Sequence, residues 1–239
     1  MTGIKLFPTI EDVFENPSNL HKVVFFPLLS VDLNFIGKGN GKVHFITVHG
    51  NGDPDEEISG TDFGYNFIRF KIIGDKYKFD GDFNEIPKFK KSVEWYKEAE
   101  LIYKEHKDKY LTETEFAKKG DVRRQKIDFY YYFYIKGLIN YWLTRDKYLE
   151  TGKFIQGNAY SNGDSNHERE PYETLGGVYD DGYGLEYLEE LLDELEINFK
   201  SFSFIGSVKG YNYSELGEGK ILLFLNNDKT EAFQYFNWS

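Results

Sequence analysis

The 239-residue chain contains no cysteine, so disulfides and thiolate-held metals are excluded, in keeping with a reducing compartment. Long apolar runs are missing too. The most apolar window, Ile127 to Leu143, includes Asp128, Lys136 and Asn140 and falls short of the roughly 20 clean residues that a membrane span requires. Met1 to Pro8 does not combine a basic start with an apolar stretch of about 7–15 residues, so no secretory leader is expected. These absences predict a cytoplasmic protein with no membrane contact.

Positive charge is scarce in one region only. Residues 158–239 hold 16 acidic against 5 basic side chains, whereas residues 1–157 hold 24 of each, so the whole net charge of −11 lies in the last third. Such a face repels nucleic acid and attracts a basic protein. The basic patch Lys118, Lys119, Arg123, Arg124 and Lys126 reads as solvated surface.

Aromatic residues, by contrast, make up 18% of the chain, enough for a sizeable core without staples. One stretch is also written twice. Phe26 to Asp32 leads through Gly39-Asn40-Gly41-Lys42 into Val43 to Val48, and Phe204 to Lys209 leads through Gly217-Glu218-Gly219-Lys220 into Ile221 to Leu225. Both copies set Ser-Val at the end of an apolar run, as Ser30-Val31 and Ser207-Val208, ahead of a Gly-x-Gly-Lys turn and a second β-prone run. Apolar runs joined by a glycine turn predict antiparallel strands. The spacing predicts an α+β fold of one domain over residues 1–239: pseudo-duplicated antiparallel or mixed sheets, with an N-terminal sheet unit at 20–85, a helical insertion at about 88–143 and a C-terminal sheet unit at 150–239.

Within that frame, Thr9 and Asp12 have the spacing of a capping box in a short packed arm. The first strand is expected over Val23 to Leu33, with Pro27 marking an edge or a bulge. Further strands are expected over Lys42 to His49, Tyr65 to Ile73 and Glu231 to Phe236. Helical stripes run from Val93 to Tyr110 and from Leu185 to Leu195, and Thr112 to Glu115 has the spacing to begin another helix. Lys126 to Leu143 has the residues of a strand, but its length favours a helix. Its aromatic run is expected in the core rather than as a stacking platform.

Several motifs fail on inspection. Gly-x-Gly-Lys lacks the first glycine and the Ser or Thr of a phosphate loop, and it does not continue as a dinucleotide fingerprint. The acidic stretch from Asn51 has Glu56 and Asp62 where a calcium loop needs glycine and glutamate. G-x-S-x-G is absent. His44 and His49 fall on opposite faces of a regular strand and cannot share a zinc.

The long polar stretch from Gly157 to Gly184 is the leading candidate for a binding site, with Asp164, His167, Tyr172, Asp180, Asp181 and Tyr183 as its residues. No catalytic residue, metal ligand or cofactor is assigned. The expected function is a non-enzymatic binding module that uses the acidic C-terminal face, for example to neutralise a basic toxin. A hydrolase with Asp164, His167, Asp180 and Asp181 around the same loop is the alternative, as is a small-ligand or carbohydrate binder using the aromatic excess.

Phe204 to Tyr211, the glycine turn, Ile221 to Asn226 and Ala232 to Phe236 together resemble the C-terminal half of the YwqG-like bacterial proteins. Gly152 to Gln156 resembles the segment between their halves, without its proline, and Ser30 and Ser207 replace the usual glutamine. The match covers about a third of the chain and leaves residues 88–143 without a counterpart. The resemblance implies a mixed α/β fold with duplicated sheets and a cytosolic bacterial origin. It carries no catalytic residues and no established activity.

Overall fold

A computed structural model describes residues 3–48, 62–106, 129–156, 168–179, 185–214 and 217–238. The first sheet has the strand order β1 (Ile4–Leu6), β2 (Phe25–Asp32), β3 (Lys42–Val48), all antiparallel. Two single helical turns, α1 (Ile10–Val13) and α2 (His21–Val24), connect β1 to β2. At α1 the expected capping box is present: Asp12 N donates to Thr9 Oγ1 at 3.2 Å, and Thr9 N donates to Asp12 Oδ2 at 2.7 Å.

The second sheet takes strands from both ends of the chain. Its first members are β4 (Phe63–Gly64), β5 (Phe67–Ile73) and β6 (Lys76–Lys78). After the helices α3 (Phe89–His106) and α4 (Phe129–Thr151) come β7 (Thr174–Leu175), α5 (Leu185–Glu194), β8 (Phe202–Val208), the turn α6 (Gly210–Tyr213), β9 (Lys220–Asn226) and β10 (Glu231–Asn237). The order is β4-β5-β10-β9-β8-β7, with β6 on β5. The fold is α+β, as expected, and the β5–β10 pairing joins the two ends. Arg69 and Glu231 pin that junction with an ion pair of 2.8 Å.

Strand alternation gives the second sheet two apolar faces. Ile68, Phe70, Ile221, Leu223, Leu225 and Phe236 enter the main core, while Phe67, Leu222, Phe224, Phe233 and Tyr235 face the other way. Leu188 and Leu192, one helical turn apart on α5, cover that second face. Glu189, Glu190, Asp193 and Glu194 are left exposed on the helix.

Pro27 sits at a bulge, one of the two positions expected for it, where the ladder of β2, the central strand of its sheet, skips a residue. Two expectations are corrected. Val23 and Val24 belong to the helical turn α2 rather than to the strand. The helical segment does not stop at Leu143, since α4 runs to Thr151. On α4, Tyr134 Oη donates to the Val23 carbonyl and Tyr141 Oη to the Pro27 carbonyl, each at 2.7 Å. Two tyrosines seven positions apart on one helix face thus dock on α2 and β2, and of the aromatic run Tyr132 and Tyr134 are buried while Tyr130, Tyr131 and Phe133 are half-buried. The helix expected from Thr112 lies outside the described residues.

Candidate functional site

One face of the first sheet is polar, and the strand register explains why. Lys5 on β1 lies opposite Ser30 on β2, which lies opposite His44 on β3; in the next row Asp32 lies opposite Lys42. Directly opposed residues of antiparallel strands share a face. A cavity of about 300 Å3 opens over these five side chains, with Asp12 of α1 on its wall. Ser30 and His44 form its floor and are almost fully buried.

The hydrogen bonds at this floor fix each proton. His44 Nε2 lies 2.8 Å from the backbone carbonyl of Asp75, which can only accept, so Nε2 carries the hydrogen. Nδ1 is then an acceptor, and Ser30 Oγ donates to it at 2.7 Å. Ser30 therefore turns only lone pairs towards the cavity. Burial pushes the His44 pKa down to about 4, so the ring is neutral at physiological pH. A serine nucleophile needs a base that can hold its proton and a partner that stabilises the resulting cation. A backbone carbonyl offers less stabilisation than a carboxylate, and a base near 4 releases the proton too readily.

Behind the floor, β3 has no strand on its outer side among the described residues. Side chains from elsewhere meet its outward backbone groups instead. His44 N donates to Tyr77 Oη at 2.9 Å, and Ile46 N donates to Gln234 Oε1 at 2.9 Å while Gln234 Nε2 returns a bond to Ile46 O at 3.2 Å. Next along the strand, Thr47 Oγ1 bonds the Glu218 carboxyl at 2.6 Å, and Val48 N approaches it at 3.5 Å. Glu218 is buried, and desolvation raises its pKa to about 7. Gln234 and Glu218 thereby tie the second sheet to the strand that carries His44.

The second sheet contains a matching arrangement. Thr174 on β7 lies opposite Ser207 on β8, which lies opposite Leu222 on β9. A smaller cavity of about 180 Å3 opens over Ser207 and Lys220. Leu222 stands where the first sheet has His44, and Lys209 follows Val208 as Asp32 follows Val31. Glu173 binds both Lys209 (3.0 Å) and Lys220 (3.7 Å), which neutralises that pocket internally.

Of the residues expected to form a site, Asp164, His167, Asp180, Asp181 and Tyr183 lie outside the described residues. Tyr172 is half-buried and packs against the main core, next to Pro171, whose carbonyl accepts from Tyr213 Oη at 2.5 Å. Part of the expected loop is the edge strand β7. The pocket at Ser30 was not among the expected sites. Its signal was alternation: Ser30 and Asp32 fall on one face of β2, as Lys42 and His44 do on β3. Among the described residues, no group of three His, Asp or Glu side chains is arranged to hold a metal ion.

Comparison with protein-family models, with curated proteins and with solved structures finds no match for this chain.

Proposed function

We propose that the chain is a non-enzymatic binding module whose ligand pocket is the charged cavity over Ser30. The Ser30–His44 pair carries this reading, since its imidazole leans on the Asp75 backbone carbonyl rather than on a carboxylate and is therefore a poor base for activating Ser30. The test is incubation with a serine-directed fluorophosphonate, alongside a panel of activated esters. No adduct at Ser30 and no turnover above that of Ser30→Ala are expected. Stoichiometric labelling of Ser30 would make the chain a hydrolase.

The exposed carboxylates of α5 favour a second surface, one that captures a basic protein. Glu189, Glu190, Asp193 and Glu194 stand on a helix anchored by Leu188 and Leu192, and residues 158–239 carry all the net charge. Association through this face slows as ionic strength rises. The same reading takes the module as cytosolic. It also takes the two strand units as copies of one ancestor within a single domain, as the likeness to YwqG-like proteins implies. The matching registers at Ser30 and Ser207 support that descent.

A further inference from the structure

The cavity over Ser30 is at the small end of the roughly 300–1,000 Å3 range of ligand pockets, so its occupant is a small molecule. Its charged groups are not equally free. Asp12 Oδ2 already accepts from Lys5 Nζ (2.6 Å) and from Thr9 N, so these two wall charges satisfy each other. Asp32 accepts from Asn34 N through Oδ1 alone. Lys42 is exposed and makes no ion pair among the described residues. Three groups remain to meet a ligand: the lone pairs of Ser30, the second oxygen of Asp32 and the ammonium of Lys42.

A simple anion would suit Lys42 but would face the Asp32 carboxylate and the Ser30 lone pairs. A simple amine would suit those two but would face Lys42. A molecule carrying both charges on one carbon answers all three. Resting on the reading of this pocket as a ligand site, we propose that it binds a free α-amino acid: the ammonium donates to Ser30 Oγ and Asp32, and the carboxylate accepts from Lys42 Nζ. The Ser207 pocket is the internal control. Leu222 stands in it for His44, Lys209 holds the chain position of Asp32 without lining the pocket, and Glu173 pairs with both Lys209 and the pocket's Lys220.

Calorimetric titration of the full chain near neutral pH and at low salt tests the proposal, with glycine, L-alanine and L-serine as probes and acetate, ethylammonium, lactate and glucose as comparators. At least one amino acid should bind, with acetate and ethylammonium about tenfold weaker or worse. Lys42→Gln and Asp32→Asn should each weaken the amino acid by about tenfold, while Ser207→Ala stays within about twofold. Thermal melts confirm that the two surface variants are folded. Acetate, lactate or glucose binding as tightly as the amino acids overturns the ligand class while leaving a ligand pocket in place. Binding that ignores both Lys42→Gln and Asp32→Asn, or no binding of any amino acid to the folded protein, also overturns the proposal. Phosphonate labelling of Ser30 is a separate result that defeats the non-enzymatic reading.

Discussion

Ser30 and Ser207 occupy the same register position in two strand triples. Each lies two residues beyond a one-residue bulge, at Leu28 in β2 and at Ile205 in β8, and each faces the third residue of the following strand, His44 or Leu222. The two serines differ in what they bond. Ser30 donates to a buried imidazole, whereas Leu222 offers Ser207 no polar atom.

Substitution should separate the two positions. Ser30→Ala leaves His44 Nδ1 buried without its donor and is expected to cost about 1–3 kcal/mol. Ser207→Ala removes no comparable bond and should cost less than about half of that. Urea midpoints for the two variants check the difference, and equal losses would show that the imidazole contact is energetically idle.

Gln234 serves one residue of β3 with both ends of its amide. Gln234→Leu strips Ile46 of a donor partner and an acceptor partner inside the core, at about 1–3 kcal/mol for each unsatisfied group. Hydrogen exchange at the Ile46 amide should accelerate by more than the global loss of stability alone explains. Unchanged protection there would show that the bond is not maintained in solution.

Two buried titrations should oppose each other. The folded protein holds the Glu218 proton up to about pH 7 against an ordinary value of 4.5, so this group favours the fold at low pH and its contribution disappears as pH rises through 7. Burial lowers His44 to about 4 from 6.5, so its contribution is complete above 6.5 and is lost as pH falls towards 4. At about 1.4 kcal/mol per unit, each swing is about 3 kcal/mol, and between pH 4.5 and 6.5 they largely cancel. Burial of His21 lowers its pKa as well and adds to the His44 direction. Denaturation midpoints against pH should be nearly flat for the native chain, fall on acidification for Glu218→Gln, and fall on alkalinisation for His44→Gln. Parallel profiles for the three proteins would contradict the assignment.

Gly210 is needed by Glu218. A Cβ at that position would sit 2.3 Å from Glu218 Oε2 and 2.8 Å from its backbone nitrogen. Gly210→Ala should therefore cost at least about 1–3 kcal/mol, and Glu218→Ala should relieve only the side-chain part of the clash. A double-mutant cycle read by thermal denaturation measures that coupling. Strict additivity would place the strain elsewhere.

The parts of this fold legible from sequence are those set by local pattern. Alternation around two glycine turns marked β2, β3, β8 and β9, and the spacing of Thr9 and Asp12 marked the α1 cap. β1 and β7, with three residues and two, are too short for any alternation to register. The end of α4 went unseen although a local signal marks it: Gly152, with a φ of 71°, follows Thr151 and donates to the Tyr148 carbonyl at 2.8 Å, as a glycine that closes a helix does. At the site, Ser30 stood out as a repeat marker, but its chemistry depends on Asp75 offering a carbonyl across a turn. Gln234 and Glu218 reach β3 across more than 170 positions of chain, and no local window records such a partner.

The side chains that close the outer edge of β3 have a further effect. An unpaired strand is normally a template on which another polypeptide can lay itself down, the first step of edge-to-edge aggregation. Here Tyr77, Gln234 and Glu218 already hold the outward N–H groups of His44, Ile46 and Val48 and the Ile46 carbonyl, so an incoming strand would have to displace them to form a full ladder. Loosening that clasp, for instance by losing Gln234, exposes a β-prone, largely apolar segment and should turn the folded chain into a seed for fibrils.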